Sequence, residues 1–211
     1  ARRRLLLAPR SAHKAREIGQ ILAPLDLDVE TLADLDIEET PEEDAIEAFD
    51  TFTANAVAKA RYFAEMLDRV TLADDSGLRV DALDGEPGVF TKRFSGRDDL
   101  SGQDLDDANN ALLLEKLQGV PDQDRGARYV CCAALAWPDG RTLTAMGTVR
   151  GRIATEPRGH NGFGYDPLFH VPELDARFAE VPADAKNAIS HRSRAFRALA
   201  AALEASPWAL G

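Results

Sequence analysis

Two adjacent carboxylates interrupt an apolar, β-prone segment whose residues 71–77 read TLADDSG. A strand that ends in Asp74 and Asp75 brings negative charge to the edge of a sheet. That charge suits a divalent cation or an activated water, because Mg²⁺ prefers hard oxygen ligands. Neighbouring strand residues face opposite ways, so the two carboxylates have different roles unless the chain turns between them, as Gly77 would favour. A plain strand-to-turn junction is the alternative, since Asp, Ser and Gly are common turn residues.

Two lysines in predicted helices can bind phosphate. Ser11 can cap a helix that follows the first strand, and Lys14 then lies in the first turn of that helix. A helix N-terminus offers free N–H groups and a partial positive charge that suit a phosphate, although most such lysines are simply solvated. Glu47 and Lys59 flank the start of a second helix and add a carboxylate and a cation.

A glycine-rich segment further along the chain can bind a planar ring. Residues 162–166 read GFGYD, and an aromatic side chain between glycines can present its ring face to a base. The alternative is a tight turn with Phe163 in the core. Lys186 and the segment 190–192, which reads SHR, add polar side chains, although His191 taken alone is an ordinary structural or solvated histidine.

These polar segments together indicate a site for a Mg²⁺-nucleotide. Mg²⁺ usually binds through one or two carboxylates and the phosphates of the substrate, and lysines, an arginine and an aromatic loop supply the remaining contacts. The sequence has no Gly-x-x-x-x-Gly-Lys-Ser/Thr loop, which excludes a P-loop nucleotidase. It also has no nucleophile elbow and no evident Cys/His dyad.

The elements that must hold these residues are short strands mixed with amphipathic helices. Strands are predicted at residues 4–8, 27–32, 70–73, 78–83, 126–137 and 141–150, the last two joined by a turn at 138–140. Helices are predicted at residues 11–23, 51–67, 104–118 and 190–205. Segment 34–50 is predicted to be a loop with a short helical turn, segment 89–96 to be extended or irregular, and segment 159–164 to be a loop. Strands mixed with helices predict an α/β fold with a mixed sheet.

The predicted faces of two helices follow from their apolar spacing. In the first helix, the side chains expected on the surface are Lys14, Arg16 and Glu17, and those expected in the core are Ile18, Ile21 and Leu22. In the last helix, the residues expected to face inward are Phe196, Leu199 and Leu203.

Composition narrows the class of protein. The chain has 211 residues and a formal net charge of −11, which argues against nucleic acid or an anionic membrane as the main partner. No apolar run approaches the roughly 20 residues that cross a bilayer, and Pro9 and Arg10 end the apolar run after Arg2 too early for a signal peptide. Cys131 and Cys132 are adjacent and offer no framework disulfide, so a reducing, cytoplasmic setting is expected.

The ordered set of motifs resembles the inosine triphosphate pyrophosphatase family, of the HAM/RdgB type that acts on non-standard purine nucleoside triphosphates. The resemblance runs nearly end to end. It rests on residues 51–60 (TFTANAVAKA), 73–78 (ADDSGL), 87–88 (PG) with 93–96 (RFSG), 162–167 (GFGYDP) and 186–192 (KNAISHR). It implies a single domain over residues 1–211, with an elongated mixed sheet and helices forming two lobes around a central cleft. It also implies a cytoplasmic homodimer.

The resemblance further implies an activity and a role for each matching residue. Members of the family hydrolyse ITP, dITP and XTP to the monophosphate and pyrophosphate, with Mg²⁺, and so clear deaminated purines from the nucleotide pool. Asp75 would be the general base, Glu47 and Asp75 would hold the metal, and Asp74 would support them as a further ligand or from behind. The residues implied in substrate binding are Ser11, Lys14, Lys59, Ser76, Lys92, Phe163, Gly164, Tyr165, Asp166, Lys186, His191 and Arg192. Of these, Phe163 would stack on the base, and Arg192 would donate to its six-position oxygen.

The sequence departs from the family pattern at two places and so leaves two alternatives. Pro9, Arg10 and Ser11 replace the usual Thr or Ser, small residue and Asn of the first loop, and Pro9 has no N–H to offer a phosphate. Arg10 would supply new charge there. Ala54 replaces an acidic residue. A non-catalytic nucleotide-binding paralogue, or a pyrophosphatase of shifted nucleotide specificity, are the alternatives that these changes favour.

Overall fold

The computed structural model describes residues 3–25 and 27–205. The strands are β1 Arg3–Leu7, β2 Leu27–Thr31, β3 Thr71–Val80, β4 Gly126–Ala136, β5 Thr142–Ile153, β6 Phe169–Val171 and β7 Ala176–Arg177. The α-helices are α1 Ala12–Leu22, α2 Pro41–Ile46, α3 Phe52–Leu67, α4 Gly102–Lys116, α5 Ala183–Ile189 and α6 His191–Glu204. Short 3₁₀ helices lie at Asp81–Leu83, Gly88–Arg93, Asp122–Asp124, Pro172–Leu174 and Phe178–Glu180.

The seven strands form one mixed sheet in the order β2-β1-β3-β4-β5-β6-β7. β1 pairs in parallel with β2 and with β3, whereas β6 pairs antiparallel with β5 and with β7. This architecture confirms the predicted α/β class with a mixed sheet. Within the described residues, no helix is both long enough and apolar enough to span a bilayer.

The chain divides into two compact units. The first unit comprises residues 1–75, 131–147 and 191–211, and the second comprises residues 76–130 and 148–190. The core of the first unit includes Leu7, Ile18, Leu72, Leu135 and Phe196, which come from β1, α1, β3, β4 and α6. The second unit has its own core, which includes Leu78, Leu113, Tyr165, Phe169 and Phe178.

Several local predictions are confirmed because the signals are short-range. The Ser11 side chain accepts a hydrogen bond from the Lys14 N–H and so caps α1, and Thr51 caps α3 through the Ala54 N–H at 3.1 Å. The Gly140 N–H donates to the Trp137 carbonyl at 3.0 Å and closes the turn between β4 and β5. The short helical turn expected within segment 34–50 is α2.

Three predictions about local structure are wrong. β3 runs unbroken from Thr71 to Val80, so the strand does not end at the two carboxylates, and the separate strand predicted at residues 78–83 does not exist. Glu17 is buried and not exposed, because it forms an ion pair with Arg192. The segment 89–96, predicted to be extended or irregular, lies mostly in a regular 3₁₀ helix, Gly88–Arg93.

Candidate active site

Asp74 lies at the centre of a buried ion network in the first unit. Its Oδ2 atom is 3.3 Å from the Lys14 Nζ and 3.4 Å from the Arg192 Nε, and Arg192 also pairs with Glu17. Burial alone would raise the pKa of Asp74, but the charges of Lys14, Arg192 and Lys59 outweigh it and hold this pKa well below its ordinary value. Asp74 therefore stays ionised and fixes two cations in place.

Asp75 is the next residue of β3 and has a different environment. The Asn55 Nδ2 donates to the Asp75 Oδ2 at 3.0 Å, and Asn55 also holds the loop before α3 through two hydrogen bonds with the backbone of Phe49. Burial raises the pKa of Asp75, and the neighbouring charge of Asp74 adds to the rise, against the opposing effects of Lys14 and Asn55. A carboxylate with a raised pKa accepts a proton more readily, which suits a general base.

Glu47 and Lys59 form an ion pair at the end of α2. Glu47 is the residue that follows α2, and Lys59 projects from the middle of α3. The charge of Lys59 also lowers the pKa of both Asp74 and Asp75. Lys59 thus links Glu47 electrostatically to the two aspartates of β3.

Arg10 does not offer a free guanidinium to a ligand. Its Nε donates to the Glu43 Oε2 at 2.9 Å, its NH2 group donates to the Glu43 Oε1 at 2.5 Å and to the Glu38 carbonyl, and its NH1 group donates to the Ile37 carbonyl. The guanidinium carbon also lies 5.6 Å from the centre of the Phe63 ring. Arg10 therefore fastens the acidic segment before α2, and the new phosphate contact expected of it stays a prediction without support from these contacts.

Gly147 allows α6 to pack closely on β5. A Cβ atom built at this glycine would lie 2.1 Å from the His191 carbonyl oxygen and 2.3 Å from the Ala195 backbone nitrogen. Any larger residue would push these backbone atoms away, because real Cβ contacts are not that short. The close approach fixes the first turn of α6 and, with it, the position of Arg192.

An aromatic loop occupies residues 162–166 of the second unit. The Asp166 Oδ2 accepts from the Lys186 Nζ at 2.6 Å and from the Phe163 N–H at 3.1 Å, and its Oδ1 accepts from the Tyr129 hydroxyl at 3.4 Å. The Lys186 ammonium lies 4.9 Å from the centre of the Phe163 ring, within the range of a cation–π contact. Phe163 is half-buried, so it is not tucked wholly into the core.

Gly162 is required by the geometry of this loop. Its φ is +74°, and a Cβ atom at this position would lie 2.0 Å from the Asp166 Oδ2. The glycine thus lets the carboxylate of Asp166 reach back to the Phe163 backbone. Burial raises the pKa of Tyr129, with Asp166 as the next cause, so this tyrosine remains a neutral donor to the carboxylate.

Polar residues on α4 hold two predicted substrate-binding segments, and the sequence prediction missed them. Asp106 and Asn110 bind the backbone of Gly164, whereas Asn109 donates to the Lys92 carbonyl at 3.1 Å and accepts from the Ser95 N–H at 2.8 Å. Asn109 and Asn110 are both buried. Two adjacent asparagines and an aspartate four residues before the second, on a helix that packs on the core, were the available signal.

The remaining predicted site residues are placed as follows. In the first unit, Ser11 caps α1 and His191 is buried at the start of α6. In the second unit, Ser76 is half-buried in β3, Lys92 is exposed, and the Tyr165 hydroxyl donates to the Thr91 carbonyl at 2.7 Å. The structure brings together Lys14, Asp74 and Arg192 in one unit, and Phe163, Asp166 and Lys186 in the other. The predicted contact of Arg192 with a base stays a prediction, since its guanidinium here contacts Asp74 and Glu17.

The carboxylates of the first unit are hard oxygen donors of the kind that a divalent cation binds together with substrate phosphates. Within residues 3–25 and 27–205, no group of three or more His, Cys, Asp or Glu side chains could enclose a metal. Mg²⁺ does not need such a cage, because it usually binds through one or two carboxylates, waters and phosphates. Asp75 and Glu47 supply hard oxygen donors, and the Asp74 Oδ1 is buried without a hydrogen-bond partner among the described residues.

The mixed α/β fold and these two sets of side chains define a candidate nucleotide-handling protein, and comparisons with known proteins give the family. The chain belongs to the Ham1 family, whose model matches residues 5–202. A relative from Exiguobacterium, named dITP/XTP pyrophosphatase, is 48% identical over 94% of this chain and 95% of its own length. A relative of the same name from Thermus thermophilus is 43% identical over 97% of this chain and 93% of its own.

Solved structures agree with this assignment. A HAM1 protein from Coxiella burnetii superposes with a TM-score of 0.81 and 35% identity, covering 96% of this chain and 99% of that protein. A nucleoside-triphosphatase, also called dITP/XTP pyrophosphatase, from Mycobacterium abscessus has a TM-score of 0.69 and 40% identity, covering 95% and 98%. The resemblance inferred from the motifs is thereby confirmed at the level of family and fold.

Proposed function

We propose that this chain hydrolyses non-standard purine nucleoside triphosphates, namely dITP, ITP and XTP, to the monophosphate and pyrophosphate, and so removes deaminated purines from the nucleotide pool. The observation that carries the proposal is the pair Asp74 and Asp75, adjacent on β3, of which Asp74 contacts Lys14 and Arg192 and Asp75 accepts from Asn55. One carboxylate is fixed as an ion by cations, and the other is kept ready to accept a proton. The names of the relatives supply the substrate class.

The proposed chemistry is attack of water on the α-phosphorus. Asp75 accepts a proton from the water while the water oxygen forms a bond to phosphorus. The bond from phosphorus to the oxygen of the leaving pyrophosphate breaks. Lys14 and Lys59, with Ser76, are proposed to bind the phosphate oxygens, on which negative charge develops. Asp74 is proposed to hold Lys14 in position for this task, on the support of their 3.3 Å contact.

The balance of charge supports a divalent cation as the cofactor. The interacting groups of the first unit are three cations and four carboxylates, namely Lys14, Lys59, Arg192, Glu17, Glu47, Asp74 and Asp75. This set carries one net negative charge when all are ionised, which does not suit a triphosphate. Mg²⁺, held by Glu47 and Asp75 with Asp74 behind them, would supply charge neutralisation for the phosphates and the leaving group.

Recognition of the base is proposed to rest on the aromatic loop of the second unit. Phe163 would stack on the purine. In place of the Arg192 that the resemblance implies, Lys186 is proposed to donate to the six-position oxygen of hypoxanthine or xanthine, because its ammonium lies over the Phe163 ring, 4.9 Å from the ring centre. Adenine carries an amino group at that position and would leave the donor without an acceptor. A buried hydrogen-bonding site of this kind can discriminate by up to about 10⁴–10⁵ in rate.

A substrate panel tests the proposal. The purified chain is offered ITP, dITP, XTP, ATP and GTP with Mg²⁺, and both pyrophosphate and monophosphate are measured. We expect turnover of the first three, and a fall of about 10²–10⁴ in kcat for Asp75→Asn with the fold retained. Asp68→Asn is the matched control, because Asp68 is an exposed residue at the end of α3 whose left-handed backbone Asn also tolerates.

Two results would contradict the proposal. If no nucleotide yields pyrophosphate above the Asp75→Asn background, while nucleotides still raise the melting temperature, the chain is a non-catalytic binding protein. If ATP or GTP is turned over as fast as ITP, the proposed base recognition is wrong and the specificity is shifted. Omission of Mg²⁺ is expected to abolish turnover, and Mn²⁺ is the alternative ion to compare.

We further propose that residues 1–211 act as one domain and that the chain forms a two-fold homodimer in the cytoplasm. Closed two-fold dimers are the commonest assembly of soluble oligomers. Two buried, unpaired thiols, Cys131 and Cys132, suit a reducing compartment. A sedimentation mass near 22.9 kDa at micromolar concentration would contradict the dimer.

A further inference from the structure

Two side chains of α4 form hydrogen bonds with the backbone N–H and carbonyl of Gly164 in the aromatic loop. The Gly164 N–H donates to the Asp106 Oδ2 at 2.8 Å, and the Asn110 Nδ2 donates to the Gly164 carbonyl oxygen at 2.9 Å. Asp106 and Asn110 are four residues apart, so they lie one above the other on the same face of α4. Asn110 is buried and Asp106 is half-buried, so water competes little for these hydrogen bonds.

These contacts fix the backbone on both sides of Phe163. The peptide before Phe163 is held through its N–H by Asp166, at 3.1 Å. The peptide after Phe163 is held through the Gly164 N–H by Asp106. The two peptides that flank a residue determine the direction of its Cα–Cβ bond. These contacts therefore fix the direction of the Cα–Cβ bond of Phe163. Gly164 has a φ of +63°, which lets the chain turn directly after the aromatic residue.

The helix is itself well supported, so it can serve as the fixed partner. Leu113 of α4 is fully buried in the core of the second unit. Asn109 ties the same turn of the helix to the backbone of Lys92 and Ser95. The loop therefore takes its position from a rigid element and not from its own short sequence, as binding loops on rigid scaffolds commonly do.

We propose that Asp106 and Asn110 are positioning residues for purine binding, acting through the Gly164 peptide to hold the Phe163 ring in the pose that stacks on the base. This inference rests on the proposed function. It assigns a role in nucleotide affinity to a helix that supplies no side chain to the ligand. We call the hydrogen bonds of Asp106 and Asn110 to Gly164 the clamp. Because the groups that form and break bonds lie on other residues, the clamp governs KM and leaves kcat unchanged.

The test compares four variants of the full chain. Asp106→Ala removes the acceptor of the Gly164 N–H. Asp106→Asn retains an oxygen acceptor at the same place and is the conservative rescue. Asp107→Ala is the matched control, because Asp107 is the exposed neighbour on the same helix and accepts a hydrogen bond from Gln103. Asn110→Ser is a second disruption, at the carbonyl end of the clamp.

Two readouts are measured on each variant. The first is amide hydrogen exchange of peptides covering residues 161–166, which does not depend on activity. The second is steady-state hydrolysis of ITP with Mg²⁺. For Asp106→Ala we expect faster exchange in this segment and a rise of about five- to twentyfold in KM, from the loss of a hydrogen bond to a charged acceptor. We expect kcat to stay within about twofold, and Asp106→Asn to recover most of the loss.

The outcomes separate this inference from the proposed function. Unchanged exchange in Asp106→Ala overturns the clamp, and faster exchange with an unchanged KM overturns its role in binding. An equal effect of Asp107→Ala also overturns it, since that residue does not contact the loop. If the wild-type chain hydrolyses none of the nucleotides, the proposed function fails, and nucleotide-induced protection of residues 161–166 then decides the clamp by itself.

Discussion

The two units each bury an aspartate, and the two aspartates do different physical work. Asp74 of the first unit is surrounded by cations, so its charge balances Lys14 and Arg192. Asp166 of the second unit accepts a hydrogen bond from one cation, Lys186. It also accepts hydrogen bonds from the Phe163 N–H and the Tyr129 hydroxyl. The first arrangement controls charge, which phosphate chemistry requires. The second controls the shape of a loop, which recognition of a planar base requires.

The largest expected effect is at the loop-shaping aspartate. Asp166→Ala removes three hydrogen bonds and leaves Lys186 buried beside two aromatic rings. We expect a loss of about 3–5 kcal/mol in the free energy of unfolding, because breaking a buried pair exposes the full cost of burying the remaining charge. Urea denaturation measures this loss. Glu156→Gln, in an exposed pair with Arg158, is the control and should behave like the wild type.

The next effect is at the charge-balancing aspartate and depends on pH. We expect Asp74→Asn to lose about 3 kcal/mol at pH 7, at the low end for a buried pair because Arg192 keeps Glu17 as a partner. The folded pKa of Asp74 lies below its unfolded value near 3.8, so its ionisation stabilises the fold above that pH and the benefit is lost as the pH falls. The gap between variant and wild type should therefore be smaller at pH 3 than at pH 7.

The control for Asp74 is another aspartate of the same unit. Asp28 is exposed, and its contact with the Nε of Arg4 is long, at 4.0 Å. Such a pair contributes little, so Asp28→Asn should match the wild type at both pH values. A gap for Asp74→Asn that widens on acidification would contradict the assignment of Asp74 as an ionised, cation-bound residue.

The smallest effect is at the partly buried ion pair of Arg10 and Glu43. A double-mutant cycle with Arg10→Gln and Glu43→Gln should give a coupling energy of about 1 kcal/mol, measured by urea denaturation. The KM for ITP should change less for Arg10→Gln than for Lys14→Gln, because the guanidinium of Arg10 binds protein groups. A larger rise in KM for Arg10→Gln would show instead that Arg10 contacts the phosphates.

The sequence predicted those parts of the fold that depend on neighbours along the chain. The caps at Ser11 and Thr51, the turn before Arg141 and the inward face of α6 with Phe196 all follow from residues within a few positions of each other. The family followed from the order of motifs, since each motif alone had an ordinary structural explanation.

The parts that were missed depend on partners far away in the chain. The run Asp74-Asp75-Ser76-Gly77 has poor β-propensity and looked like a turn, yet β3 continues through it because Lys14 and Arg192 compensate the buried charge. Glu17 looked like a surface residue of α1, and its partner Arg192 is 175 residues away. The contacts of α4 with the aromatic loop could not be predicted either. Helical spacing shows which residues share a face of a helix, but not which segment packs against that face.

Because β3 runs without a break, the environment of each aspartate depends on whether its position along the strand is odd or even. Alternate residues of a strand share a face, so counting from Thr71 decides which aspartate meets the cations and which meets Asn55. A shift of the strand by a single residue would exchange every such environment at once. Asp75 would then occupy the position beside Lys14 and Arg192 that Asp74 holds, although the composition of the chain had not changed. Which aspartate is the ion-paired one is therefore a property of the alignment between β3 and β1 as much as of residue type.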